Sequence, residues 1–142
     1  MHALPAKRQG YEGCLTLRQA IATIGAPKAI GPYSPAIRVG NLLFVSGQIP
    51  IDPSTGGLVD GGIGPQTEQV MKNIGALLTA AGAGFEHVMR TTVFMTDLNE
   101  FAAMNDCYAK FVSDPPPARS TVQVARLPRD VRVEIDAIAV LP

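Results

Sequence analysis

Cysteine, histidine and charge are all scarce in this chain of 142 residues. The two cysteines, Cys14 and Cys107, stand far apart with no motif around either, which excludes a disulfide framework and a cysteine-rich zinc site. Two free thiols fit a reducing compartment, and a cytoplasmic location is expected. His2 and His87 are isolated, so neither a multi-histidine metal site nor a Ser-His-Asp triad is expected, and no metal is assigned. No apolar run approaches the roughly 18 residues that span a bilayer. A secretory signal and an Asn-x-Ser/Thr acceptor are also missing, so no membrane partner is expected. Charged residues are only 17% of the chain, and 12 Lys+Arg balance 12 Asp+Glu. That balance argues against nucleic acid as the main partner, because phosphate binding needs surplus cations. A chain this poor in charge either hides surface in an oligomer or covers itself with Gly, Ser, Thr, Gln and Pro. Gly 14 and Pro 12 predict many turns.

The length suits one domain with its own core. Residues 1–22 read as an N-terminal extension and residues 23–142 as a single domain. The first twenty residues carry Lys7, Arg8 and Arg18 against one acid, Glu12, the composition of a loose tail or of an organelle transit peptide. Residues 35–39 and 42–46 predict a hairpin turning at Gly40-Asn41. The glycine-rich stretch 56–64 lacks the Gly-Lys-Ser/Thr ending of a phosphate loop and reads as a connection. A helix is predicted from Gly64-Pro65, with Val70, Ile74, Leu77, Leu78 and Ala81 on one face and Gly82 and Gly84 at its end. Residues 88–95 predict a strand. A second helix is expected to open on an Asp97/Glu100 capping box, with Phe101, Met104, Tyr108, Phe111 and Val112 as a core stripe. After Pro115-Pro116-Pro117, residues 119–125 and 131–140 predict two more strands. One apolar face per helix puts both helices on one side of a single sheet; water or another copy of the chain covers the other side.

In the last strand Val131, Val133, Ile135 and Ala137 alternate with Arg132, Glu134 and Asp136. If the last two strands form a hairpin around Arg126-Leu127, Arg119 lies beside Glu134 on the face away from the helices. By pattern alone this is first a cross-strand ion pair, worth under about 1 kcal/mol when exposed. Two facts favour chemistry: Arg119 follows a rigid proline loop, and guanidinium suits bidentate capture of a carboxylate. A carboxylate left free beside it could orient or deprotonate water. Tyr33, in Gly31-Pro32-Tyr33, reads either as a packed turn residue or as a fixed ring and hydroxyl. Ser46-Gly47-Gln48 ends a strand with a small residue where backbone could approach a ligand.

Seven segments together resemble the reactive intermediate deaminase family (RidA, also called YjgF). They are Ala29-Ile30-Gly31-Pro32-Tyr33-Ser34-Pro35-Ala36-Ile37, Phe44-Val45-Ser46-Gly47-Gln48-Ile49-Pro50, Gln66-Thr67-Glu68-Gln69-Val70 with Lys72-Asn73-Ile74, Thr91-Thr92-Val93-Phe94, Asp97-Leu98, Pro117-Ala118-Arg119-Ser120-Thr121-Val122 and Ile135-Asp136-Ala137-Ile138-Ala139. They run in order from about Ile24 to Pro142. The resemblance implies a chorismate-mutase-like α+β subunit, a single mixed β-sheet with two helices on one face. It implies a homotrimer with a barrel-like centre and sites between subunits. It implies hydrolysis of reactive 2-imino acids or their enamine tautomers (2-iminopropanoate, 2-iminobutanoate) to 2-keto acids and ammonia, with no cofactor. By position, Arg119 matches the residue that holds the substrate carboxylate, Glu134 the acid that positions water, and Tyr33 a tyrosine lining the site. Ser46 and Gly47 match residues beside the substrate, and Asn105 matches a wall residue. Thr121 stands where relatives often carry cysteine, and the loop before Arg119 lacks the phenylalanine some relatives place there. Two other roles remain open: an endoribonuclease or translation inhibitor, and a non-catalytic ligand-binding or chaperone-like trimer.

Overall fold

The computed structural model describes residues 18–142. Its strands are β1 (Gln19–Ile21), β2 (Ala36–Val39), β3 (Leu42–Gln48), β4 (Val88–Met95), β5 (Ala118–Gln123) and β6 (Val133–Val140). Its helices are α1 (Ile63–Ala80) and α2 (Phe101–Tyr108), and single 3₁₀ turns cover Phe85–His87, Leu98–Glu100 and Pro128–Asp130. The fold is α+β, as expected: one six-stranded mixed sheet in the order β1-β2-β3-β6-β4-β5. All neighbours are antiparallel except β4 and β5. That parallel pair is linked through α2, the kind of crossover parallel strands require. Gln19–Ile21, at the end of the stretch read as an extension, pair with β2 and form one edge of the sheet. The rest of that stretch, up to residue 17, lies outside the described residues.

Alternation decides which side of the sheet is core. Leu43 and Val45 on β3, Val93 and Met95 on β4, and Val133, Ile135, Ala137 and Ala139 on β6 are buried against the helices. They meet Val70, Met71, Ile74, Leu77 and Leu78 of α1 and Met104 and Tyr108 of α2 in one cluster. At about 25 cal/mol per Å² of apolar surface removed from water, this cluster is the main favourable contribution to folding. The apolar face predicted for α1 is therefore the one buried. Its C-terminus closes as a Schellman motif: Ala83 N–H reaches Leu78 C=O and Gly82 N–H reaches Thr79 C=O. Gly82 takes a positive φ of 78° there, which glycine adopts without a Cβ clash.

Among the described residues, no helix covers the other side of the sheet. Leu42, Phe44 and Val122 on it are 37%, 42% and 41% exposed, in register with Val140, Ile138 and Phe94. Apolar side chains on an uncovered face are a reason to expect a partner surface.

Three sequence expectations are corrected. First, β5 and β6 do not form a hairpin; β4 lies between them. The connection from 124 to 132 contains Pro128, which has no N–H to donate to a ladder. It also contains Arg129 and Asp130 at φ 55° and 57°, a tight turn braced by Arg126 Nε to Asp130 Oδ1 at 2.6 Å. This link carries the chain past β4 to its far edge. Second, the expected capping box is only half formed. Asp97 accepts from Asn99 N–H at 2.9 Å, but Glu100 Oε1 accepts from Arg132 Nη1 at 2.7 Å. Third, α2 ends at Tyr108, so Phe111 and Val112 lie beyond the helix.

Candidate active site

The re-ordered strands put the two charged candidates on different faces. Residues paired in register point to the same side of a sheet. Arg119 pairs with Thr91, and Thr91 with the buried Ala137, so Arg119 lies on the helix side. Glu134 pairs with Phe94 and lies on the open side. They are two interstrand steps and three residues apart, on the order of 14 Å between Cα atoms by sheet geometry. Within one chain the expected Arg119–Glu134 adjacency does not occur. Two separate half-sites stand in its place.

The arginine half is built at the outer edge of the sheet. Its cleft is lined by Asn105, Tyr108, Pro116, Pro117 and Arg119 among others, so the proline loop forms a wall. Among the described residues, no salt bridge or hydrogen bond engages the Arg119 guanidinium. Its carbon instead lies 4.9 Å from the centroid of the Tyr108 ring and 5.6 Å from that of Phe101. Tyr108 is buried, and its hydroxyl lies 2.7 Å from Thr91 Oγ1. Asn105 Oδ1 is buried with no hydrogen-bond donor among the described residues, an acceptor turned into the same helix face. Thr121 lies two residues along β5 from Arg119, on the same side, in register with Val93.

The acid half lies at the end of β3. The β3–β6 register slips between Val45 and Gln48, a bulge that puts Ser46 and Gly47 opposite Asp136 and re-aims the strand end. Glu134 lies over Gly47 so closely that a Cβ there would come 2.6 Å from its Oε2 and 2.9 Å from its Cδ. A side chain at position 47 would push the carboxylate aside, and the carboxylate fills the room expected there for a ligand. The surrounding cleft is lined by Ile30, Tyr33, Gly47, Gln48, Pro128 and Glu134, among others. Glu134 is half-buried and makes no salt bridge or hydrogen bond among the described residues. Burial pushes its carboxyl above the usual carboxylate range, and the nearby Asp136 adds to this.

Tyr33 is fixed by its own turn. Its N–H donates to Gly31 C=O at 2.8 Å, and its hydroxyl accepts from Ile30 N–H at 3.2 Å. Ser46 donates its hydroxyl to Ser34 C=O at 2.7 Å, tying the tyrosine loop to the bulge. One cleft therefore groups Tyr33, Gly47 and Glu134, with Ser46 next to Gly47 in the bulge, and the other groups Asn105 and Arg119; Thr121 shares the side of β5 that carries Arg119 but does not line that cleft.

Several residues that shape these halves were missed as such. Phe101 and Tyr108 were read only as core, yet they flank Arg119; the available signal was two aromatics seven apart on the helix that carries Asn105. Asn73 stands in one of the family-like segments, and the resemblance implies no role for it. Fully buried on α1, it donates to the carbonyls of Ile51 at 2.9 Å and Ile49 at 3.3 Å. Gln69 in turn donates to its Oδ1. This pins the segment that continues from the bulge.

The family model for Endoribonuclease L-PSP matches residues 23–141. A RutC family protein of Pyrococcus horikoshii is 53% identical over 123 residues, covering 87% of this chain and 98% of its own. The 2-iminobutanoate/2-iminopropanoate deaminase of Mus musculus is 48% identical over 124 residues, covering 87% and 92%. Among solved structures, Escherichia coli TdcF with bound serine superposes with a TM-score of 0.83 at 43% identity, covering 87% of this chain and 99% of that one.

Proposed function

Because the chain belongs to the Endoribonuclease L-PSP (RidA/YjgF) family, we propose that it is a hydrolytic deaminase of 2-imino acids working at sites shared between subunits of a homotrimer. The observation that carries this reading is the separation of its halves. Among the described residues, a cation with no acid partner and a carboxylate with no cation partner lie on opposite faces of one sheet. Each half lacks what the other supplies. A neighbouring copy seated on the open, apolar sheet face would bring the arginine half of one chain to the acid half of the next.

The chemistry follows from the residues. In R–C(=NH)–COO⁻ the imine carbon is electrophilic, most of all when nitrogen is protonated. Arg119 holds the carboxylate through paired N–H donors. Glu134 accepts a proton from water as the oxygen bonds to the imine carbon, giving a carbinolamine. The same carboxyl returns the proton to nitrogen, the C–N bond breaks and ammonia leaves, and the carbinolamine O–H gives its proton to the freed carboxylate as the C=O forms. Burial raises the Glu134 carboxyl above its ordinary value, which favours its taking the proton before giving it back. Tyr33 walls the acid half beside Glu134, and Asn105 offers an acceptor for the substrate's N–H. Thr121 offers a hydroxyl where relatives often have a thiol. The relative from Mus musculus carries the name of this activity, which supports the substrate class of short 2-imino acids.

A coupled assay tests the reading. A dehydratase acting on threonine or serine generates 2-iminobutanoate or 2-iminopropanoate, and keto-acid release is followed with and without this protein. Acceleration that disappears in Arg119→Ala, with the oligomer unchanged by light scattering, is the expected result. Release at the uncatalysed rate would remove the deaminase assignment. RNA cleavage lost in the same variant would put the endoribonuclease reading in its place.

A further inference from the structure

The arginine half contains a device that the reaction does not by itself require. We infer that Phe101 and Tyr108 are positioning residues, a two-ring clamp that holds the Arg119 guanidinium by its faces and leaves its N–H edges to a carboxylate. This rests on the reading of Arg119 as the carboxylate holder.

The helix sets the spacing. Phe101 and Tyr108 are seven residues apart on α2, two turns or about 10.5 Å along the axis. The guanidinium carbon lies over both rings, 4.9 Å from the Tyr108 centroid and 5.6 Å from that of Phe101. Both distances fall within the reach of a cation–π contact. Such contacts act on the faces of the ion and consume none of its five N–H donors. An acidic partner would fix the side chain equally well, but it would occupy those donors and cancel the charge. The rings fix it without doing either.

The clamp is itself anchored. Tyr108 is 5% exposed and Thr91 is 2% exposed, and their hydroxyls are 2.7 Å apart. Thr91 is also the residue of β4 in register with Arg119. The neighbouring strand thus holds the ring that holds the arginine. Phe101, 39% exposed, closes the outer side.

The test reads the guanidinium directly and through its ligand. Arginine Nε–H resonances of the assembled protein, labelled with nitrogen-15, should show a ring-current shift for Arg119 that is lost in Phe101→Leu and in Tyr108→Leu. The same variants should weaken binding of 2-oxobutanoate, the keto-acid product, and raise KM, each by about three- to thirty-fold, the span of cation–π contacts. Their kcat should stay within about threefold of the parent. Binding of the uncharged 2-oxobutanamide should not change. Phe101→Tyr should keep parental values, and Tyr108→Phe should fall between parent and leucine variant. If Tyr108→Leu fails to assemble, the half-exposed Phe101 position decides. Unchanged resonances, unchanged keto-acid affinity, or equal loss for acid and amide would each overturn the clamp. Clamp-dependent binding without imine hydrolysis would overturn the deaminase reading alone; hydrolysis that needs Arg119 but neither ring would overturn the clamp alone.

Discussion

The arginine half and the acid half keep an uncompensated charge in opposite ways. At the sheet edge, the Arg119 cation is gripped by large side chains, Phe101 and Tyr108. At the bulge, the Glu134 anion is accommodated by a missing side chain, because Gly47 leaves the volume its carboxyl fills. One half is built by adding aromatic surface around a weakly hydrated ion, the other by removing a Cβ beneath a strongly hydrated one. The difference reflects the ions. Guanidinium tolerates apolar faces, whereas a carboxylate pressed against apolar surface holds its proton more tightly. Each treatment leaves the charge suited to the role proposed for it.

The comparison breaks most sharply if both halves are disabled on different chains. Arg119→Ala and Glu134→Gln should each lose about 10²- to 10⁴-fold in turnover, the usual range for a general acid–base group and of the same order for the carboxylate anchor. If, as proposed, an intact site draws one half from each neighbour, refolding the two inactive variants together should restore about a quarter of the sites by random assortment. Activity measured after mixing in denaturant checks this, and no recovery would mean that the halves do not meet across subunits.

Gly47→Ala strikes the acid half alone. Its Cβ forces the Glu134 carboxylate aside, and a displacement of about 1 Å can cost on the order of 100-fold in turnover. Affinity for 2-oxobutanoate should remain close to parental, because the arginine half is untouched. A variant with parental kcat would show that the carboxylate position is not critical.

Asn73→Ala removes the donors that hold Ile49 and Ile51. Ile49 C=O still accepts from Ile51 N–H at 2.7 Å, so stability should fall by about 1–3 kcal/mol for the Ile51 carbonyl left without a partner, read as a lower urea midpoint. The Arg119 resonance should stay in place, which would mark the defect as one of the acid half.

The smallest effect concerns pH. The folded state raises the Glu134 carboxyl above its unfolded value. The native protein therefore binds more protons across that window, and stability falls as pH rises through it. Glu134→Gln should leave melting unchanged at acidic pH below both values and raise it slightly at neutral pH. Equal melting of the two proteins at every pH would mean that assembly restores the carboxyl to its ordinary value.

Much of the fold was legible because burial imposes periodicity. A 3.6-residue apolar rhythm marks α1, β-branched and aromatic content marks β4, alternation marks β6, and Gly40 and Gly82 sit where turns need positive φ. The chemistry-bearing residue types were legible as well, and the family resemblance named the residues to examine. The hairpin between β5 and β6 was misread because alternation states which residues of a strand share a side. It does not state which strand lies next door or which side faces the helices. Placing β4 between them sent Arg119 and Glu134 to opposite faces. The aromatic stripe of α2 was half misread for a related reason. Tyr108 is buried as expected, but a short helix over a sheet edge turns the same stripe toward Arg119.

By itself the sequence determined the elements, their apolar faces and the presence of an arginine, a glutamate and a strand-end glycine, because local periodicity and residue chemistry are written position by position. Only the tertiary structure decided which of these meet. Strand order and register are settled by long-range packing, and that packing split one expected site into two incomplete halves.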